Sequence, residues 1–367
     1  MIWNLPRNTT NWKLAGTDTF RLASAALWSK SDNECGTNLT NIEKSMRKIY
    51  YADDGKLLSQ VDQSGAEALV VAYNCKPGRF RDLFLNGVKP HVFVAMNVFL
   101  EKWQILCKDI DVLDFSITPI RELKNKDGWK VLDTIIKESD NWKPSERYYY
   151  IAKMICHASN YGMKGGAFQL NVLEKSRGQI VLSRKQADDY LNRYHSLFPE
   201  ITDWHRDVIN QIKNYKVLYN LFGYPRELTG FFDEFDAKDW IAWCPQSTVG
   251  CITHIEITQE QQYIDVTNRV NTVRAVGKLP DSITYCLDTF GSAQADWDIL
   301  GNNHDSSLTQ APEHDIMRLA RVKHHLMCQE LTSPRGEKFR MRAEAQIGKN
   351  WGPKKDTNPD GLVEIKL

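Results

Sequence analysis

The chain carries almost no net charge: 47 Lys and Arg stand against 46 Asp and Glu in 367 residues. That excludes a partner held by bulk electrostatics alone, and leaves only a local basic groove as a way to hold a polyanion. Paired cysteines are also missing. Cys35, Cys75, Cys107, Cys156, Cys244, Cys251, Cys286 and Cys328 include no Cys-x-x-Cys pair, and no His joins them at zinc-ligand spacing. No signal peptide opens the chain, so reduced thiols in a cytoplasm are the economical reading. The Asn-x-Thr triplets at Asn8 and Asn38 then count as chance matches. The longest apolar run, HVFVAMNVFL, is too short to cross a bilayer. Internal repeats and low-complexity tracts are absent. What is present is an ordinary folded composition, 42% hydrophobic and 25% charged, long enough for one large domain or two modest ones.

Periodicity divides the chain coarsely. KLLSQVD (56–62) reads as a buried strand and AEALVVAYN as the start of a helix. From 101 to 145 the text turns polar and uneven, with Trp103, Trp129 and Trp142 among charged residues. Helical periodicity returns in ERYYYIAKMICHASNYGM, SRKQADDYLNRYHSLF and, after Pro199, EITDWHRDVINQIKN. VLYNLFGYPREL predicts a hairpin, and 237–258 predicts a helix apart from Pro245. SITYCLD (282–288) reads as a short strand and 301–315 as a loop. A helix near 314–330 and an alternating strand, KFRMRAEAQI, complete the pattern. The fold class is α+β: strands from both ends sandwich a helical middle, as in a sheet domain with a helical insertion.

Three places could carry chemistry. Asp62 closes an apolar strand, well placed for a divalent metal, although Ser64-Gly65-Ala66-Glu67 reads on its own as a helix-capping box. Tyr149, Lys153, His157 and Tyr161 recur every fourth residue and, at about 100° per residue, form one drifting stripe. A Lys among rings suits a ligand with a polyanionic and a flat part, such as a nucleoside triphosphate; an amphipathic helix with one snorkelling Lys is the plainer alternative. Asp288 ends the expected strand SITYCLD. It could meet Asp62 across neighbouring strands to bridge two divalent metals, or simply be a turn residue. His195, His205, His324 and His325 have no metal-binding pattern, and the last two read as a solvated face.

The order of these features resembles the family A DNA polymerases, the group of bacterial DNA polymerase I and its phage relatives. The matching text is Asp62-x-Ser64-x-x-Glu67, then Lys153-x-x-x-His157-x-x-x-Tyr161-Gly162, then Gln246-Ser247, then Asp288. TFRLAS (19–24), TNLTNIE (37–43), KPHVFVAMNVF (89–99), LFGYPREL (221–228), WCPQSTVGCI (243–252) and GKNW (348–351) resemble flanking family segments, over roughly residues 16 to 354. Each match is weak; their shared order gives them weight.

The resemblance implies a right-hand polymerase palm, an antiparallel sheet with helices, plus helical fingers. It assigns 1–85 and 216–367 to the palm and 86–215 to the fingers, with an inserted segment near 101–145. No thumb or exonuclease domain is recognisable, which implies either a separate chain for those roles or a polymerase that tolerates low processivity. Asp62 and Asp288 would bind two Mg²⁺ ions, with the Gln63 carbonyl as a further ligand. Lys153 would be catalytic and hold the triphosphate, with Ser64, His157 and Arg147 nearby. Tyr161 would stack near the nascent base pair, and Glu67 would exclude a ribose 2′-hydroxyl. Arg226 and Gln246 would contact the primer–template minor groove, and Arg21 and Asn41 the duplex. The expected partners are primer–template DNA and dNTPs, without a membrane, in a bacterial or phage-infected cytoplasm.

Departures from the family pattern bear on this. Tyr149 stands where the family has an Arg, and Arg147 lies about 120° around the helix from Lys153. Leu287-Asp288-Thr289 replaces a His-Asp-Glu, Tyr224 replaces the first hairpin Arg, and His157 an aromatic ring. Two alternatives therefore stand beside a polymerase core. One is a non-catalytic polymerase-like subunit that binds primer–template. The other is a single-subunit RNA polymerase relative, against which Glu67 argues.

Overall fold

The computed structural model describes residues 11–13, 17–20, 23–25, 42–106, 127–268, 279–303 and 305–367. β1 (Asn11–Lys13) pairs antiparallel with β2 (Ala23–Ala25). β3 (Lys56–Gln63) leads through Gly65 into α1 (Ala66–Asn74); φ there is +61°, a conformation glycine adopts without strain. Helices α2 (Arg79–Leu85), α3 (Pro90–Val98), α4 (Leu100–Leu106), α5 (Asp127–Glu138), α6 (Tyr148–Asn160), α7 (Gly165–Lys175), α8 (Arg184–Leu197) and α9 (Pro199–Tyr215) follow. A hairpin, β4 (Val217–Tyr219) and β5 (Pro225–Glu227), precedes the long α10 (Ala237–Thr267), which continues through Pro245. Then come α11 (Asp281–Phe290), β6 (Asp298–Asn303), β7 (Ser306–Pro312) and α12 (Ile316–Met327). β8 (Glu330–Thr332), β9 (Lys338–Arg340), β10 (Ala343–Gly348) and β11 (Val363–Ile365) end the chain's elements.

The chain divides into two compact units, Met1–Ala66 with Gln246–Leu367, and Glu67–Pro245. The first holds an antiparallel sheet ordered β11-β10-β3-β7-β6. Side chains alternate across it. Leu57 and Ala311 face a core built with Ile264 of α10, Ile283 and Cys286 of α11 and Leu319 and Val322 of α12. Leu58 packs on the opposite face with Trp351 and Leu362. The GKNW segment ends there: the Trp351 indole donates to Gln60 Oε1 at 2.8 Å.

The second unit is mainly helical. Phe80 of α2 meets Phe198 at 5.1 Å and Tyr194 at 6.5 Å, and its N–H donates to Glu200 Oε1 at 2.7 Å. α8 starts at a capping box in which Ser183 and Gln186 satisfy each other's backbone. Trp103 is fully buried and donates to the Ala95 carbonyl at 2.9 Å. Among the described residues, no helix is long and apolar enough to cross a membrane.

Several sequence expectations need correction. SITYCLD is the body of helix α11: Ile283, Cys286, Leu287 and Phe290 follow helical spacing and all face the core. The expected loop 301–315 contains the β6–β7 hairpin. KFRMRAEAQI breaks into β9 and β10, which belong to different sheets. His324 and His325 are not a solvated face: His324 Nε2 lies 3.2 Å from the Ala343 oxygen, and His325 stacks on Tyr285 at 4.3 Å.

Candidate functional site

In the sheet unit, three acidic side chains come from adjacent strands. Asp62 lies near the end of β3, opposite Ser306 of β7 and Glu344 of β10. Asp305 occupies the turn entering β7, its carboxyl close enough to Asp62 to act on it directly. The hairpin is tied to β3 here, because the Gln63 N–H donates to the Asp305 carbonyl at 3.0 Å. Burial, then the charges of Asp305 and Glu344, push the Asp62 carboxyl up to about 7, opposed by Lys44. The sheet thus concentrates negative charge on hard oxygen donors, with partial compensation.

Asp288 is not part of this arrangement. It lies on the exposed side of α11, and the acidic neighbours of Asp62 are Asp305 and Glu344. Asp305 and Glu344 were missed by the sequence reading. The signal was the pair His304-Asp305, which matches the family's His-Asp-Glu better than Leu287-Asp288-Thr289 does but fell inside an expected loop.

The neighbouring polar residues hold their own backbone and helices. The Gln63 amide, in the core, donates to Thr253 Oγ1 at 2.8 Å and to the Val249 carbonyl at 3.3 Å. Ser64 Oγ donates to Glu344 Oε1 at 2.9 Å. Gln246 is half-buried near the point where α10 enters this unit.

In the helical unit, α6 presents the expected stripe. Lys153 and His157 are exposed, Tyr149 is half-buried, and Tyr161 follows the helix end. The His157 and Tyr161 rings meet edge to face at 5.1 Å. The Tyr161 hydroxyl donates to Glu67 Oε2, joining two residues separated by 94 positions. Gly162 follows at φ +69°, with Ile241 3.4 Å from where a Cβ would stand. His91, from α3, lies against Tyr149 at 6.2 Å. Burial, with Lys153, His157 and Lys89 around it, pulls His91 down to about 4. Its Nδ1 is buried and lacks a hydrogen-bond partner among the described residues. His91 was missed as well, since it lay within an apolar run.

Arg147 immediately precedes α6 and stacks over Tyr150 at 4.6 Å. Arg226 donates to the Asp239 carbonyl at 2.9 Å and stacks on Trp240 at 4.3 Å. Tyr224 is exposed at the hairpin bend. Arg21 and Asn41 lie outside the described residues.

Chemically, paired carboxylates on hard oxygen donors suit a Mg²⁺-type cation. Among the described residues, no group of three or more His, Cys, Asp or Glu is arranged to hold a metal.

No protein-family model matches the sequence, and no curated protein matches it. Among solved structures, the chain is similar to the POL domain of Pol1 from M. smegmatis, in complex with DNA primer-template and dNTP. The TM-score is 0.61 at 16% identity, over 93% of this chain and 47% of that one, so this chain spans about half of that chain's length. The likeness is one of fold: a mixed α+β architecture with an antiparallel sheet, similar to a DNA polymerase domain.

Proposed function

We propose that this chain is the catalytic core of a template-directed DNA polymerase, adding deoxynucleotides to a primer 3′-hydroxyl. The observation that carries the reading is the juxtaposition of Asp62 and Asp305 at the meeting of β3 and β7, within a polymerase-like fold. The paired acidic oxygens fit Mg²⁺, and a divalent cation would offset the burial and the neighbouring acidic charges that raise the Asp62 pKa. Mg²⁺ bound there would lower the pKa of the primer hydroxyl and offset the charge of the triphosphate.

The chain's own residues take the remaining roles in this reading. Asp62 and Asp305 hold metal, with Asp305 replacing Asp288. Gln63 and Ser64 brace the end of β3. Lys153 binds the triphosphate, and His91, His157 and Arg147 line its neighbourhood. Glu67, oriented by the Tyr161 hydroxyl, abuts the sugar and favours deoxynucleotides over ribonucleotides. Arg226 and Gln246 contribute to duplex binding. Six buried free cysteines among the described residues suit a reducing cytoplasm.

A second reading, a non-catalytic subunit that binds primer–template, is favoured by Tyr149 in place of an Arg beside Lys153. Primer extension by the chain at low salt, with Mg²⁺ and dNTPs, separates the two. Extension that is lost in Asp62→Ala and Asp305→Ala and kept in Asp288→Ala supports the polymerase. Unaltered primer–template binding without extension, with or without candidate partner chains, supports the subunit.

A further inference from the structure

Behind the strands that carry Asp62 and Asp305 lies a charged cluster that neither the motifs nor the proposed chemistry uses. Lys323, on α12, is 0% exposed. Its ammonium donates to the main-chain oxygens of Ser59 on β3 and Ser307 on β7, both at 3.1 Å, and to Thr309 Oγ1 at 3.0 Å. Glu256 and Glu260 face it from α10, one turn apart on one side of that helix, and both are fully buried. Glu256 Oε1 accepts from Ser307 Oγ at 2.9 Å. Glu260 is supported by the Lys323 charge and the nearby Thr309 hydroxyl.

Such a cluster is poorly explained by stability. Buried ion groups give back in attraction about what desolvation takes, and apolar replacements of similar volume are often as stable or more so. The placement of the bonds is more informative. Ser59 lies three positions before Asp62 and Ser307 two positions after Asp305, on strands paired in the register Asp62↔Ser306 and Ser59↔Thr309. An ammonium shared between carbonyls of two adjacent strands is a cross-link between their backbones. No aliphatic side chain at position 323 could supply it. Glu256 extends the tie from β7 to α10.

We infer that Lys323 is a positioning residue for the metal site: by bridging β3 and β7 from behind, with Glu256 and Glu260 packed against it, it sets the spacing of Asp62 and Asp305. The inference rests on the proposed assignment of those two aspartates to metal binding. It makes the cluster a support for the carboxylates rather than for the fold.

Mn²⁺ binding to the full chain, followed by the electron paramagnetic resonance of free Mn²⁺, tests this alongside thermal unfolding. The triple variant Lys323→Met/Glu256→Leu/Glu260→Leu removes the charges together and leaves none stranded. It should unfold at or above the wild-type temperature, yet bind Mn²⁺ roughly tenfold more weakly, the usual cost of losing a metal site's supporting contacts. A folded triple variant with wild-type Mn²⁺ affinity overturns the inference. If the triple variant does not fold, Thr309→Val decides: it deletes one Lys323 hydrogen bond isosterically and should weaken Mn²⁺ binding about threefold. Unchanged affinity in that variant overturns the inference. Mn²⁺ binding that is no stronger in wild type than in Asp62→Asn overturns the metal-site reading itself, and this inference with it.

Discussion

Asp62 and Asp305 stand beside each other where β3 meets β7, so two carboxyl groups, with Glu344 near them, share a half-buried place. Such a pair is unfavourable for folding and useful for holding a cation. Replacing Asp62 by Asn should therefore stabilise the metal-free chain by on the order of 1–2 kcal/mol at pH 7, since it removes a charge that burial and its acidic neighbours both disfavour. The same change should lower Mg²⁺-dependent primer extension by about a thousandfold, as expected when several kcal/mol of metal-borne stabilisation are lost. Asp288→Asn should alter neither property. Denaturant unfolding and single-turnover extension on the three chains check this, and a destabilised Asp62→Asn would contradict the charge-repulsion argument.

The buried Glu256 gives a pH dependence with a definite sign. Its neighbours are Glu260 on the same helix, Lys323 on α12 and Ser307 on β7. Burial, then Glu260, push its carboxyl from the ordinary 4.5 up to about 8. A carboxyl raised on folding favours the folded state while both states are protonated, so its contribution is full below 4.5 and is lost as pH rises towards 8. Over that window the slope is about 1.4 kcal/mol per pH unit for one proton. His91 and His205, both pulled down to about 4, work in the opposite direction as pH falls below 6.5. The wild-type profile mixes these effects, and the difference between wild type and Glu256→Gln isolates the first. Urea titrations at intervals from pH 5 to pH 8 should show the Gln variant gaining on wild type as pH rises.

Tyr161→Phe removes only the hydroxyl that donates to Glu67. A hydrogen bond to a carboxylate is worth about 1.5–3 kcal/mol, less where the pair is partly solvated, so a loss of about 1 kcal/mol in stability is expected. Under the proposed function, Glu67 is also freed from the orientation that excludes a ribose. The preference for dNTP over rNTP, read as a ratio of kcat/KM, should then fall about tenfold, and Glu67→Ala should lower it further. An unchanged ratio in both variants would leave Glu67 without a role at the sugar.

Much of this was legible in the letters. The period-two run into Asp62, the every-fourth-residue stripe from Tyr149 to Tyr161 and the Gly-Pro hairpin all took the expected form. The carboxylate partner did not, and the reason is physical. Ser307 and Thr309 are polar on the buried side of β7 because the surface behind them is Lys323, Glu256 and Glu260. A strand packed on charge loses the apolar alternation by which strands are recognised, so the segment holding Asp305 read as a loop. SITYCLD erred the other way: a short apolar run fits strand and helix alike, and only the packing of Ile283, Cys286, Leu287 and Phe290 decides.

His91 offers a prediction that needs no catalysis. It is buried, its Nδ1 lacks a partner among the described residues, and Lys153, His157 and Lys89 surround it with positive charge. That combination holds the imidazole neutral at pH 7, with a pKa of about 4. A polyanion bound over the α6 stripe would cancel the neighbouring charges and could accept a hydrogen bond from the ring, both of which favour the protonated form. Tripolyphosphate should therefore raise the His91 pKa by a unit or more, roughly 1.4 kcal/mol of added interaction per unit. Long-range ¹H–¹⁵N spectra of the imidazole, recorded against pH with and without tripolyphosphate, read this directly. Lys153→Met should abolish most of the shift by weakening the anion's hold, and His91→Phe should raise the KM for dNTP with little change in kcat. A His91 resonance that ignores tripolyphosphate in the wild-type chain would place triphosphate binding away from this helix.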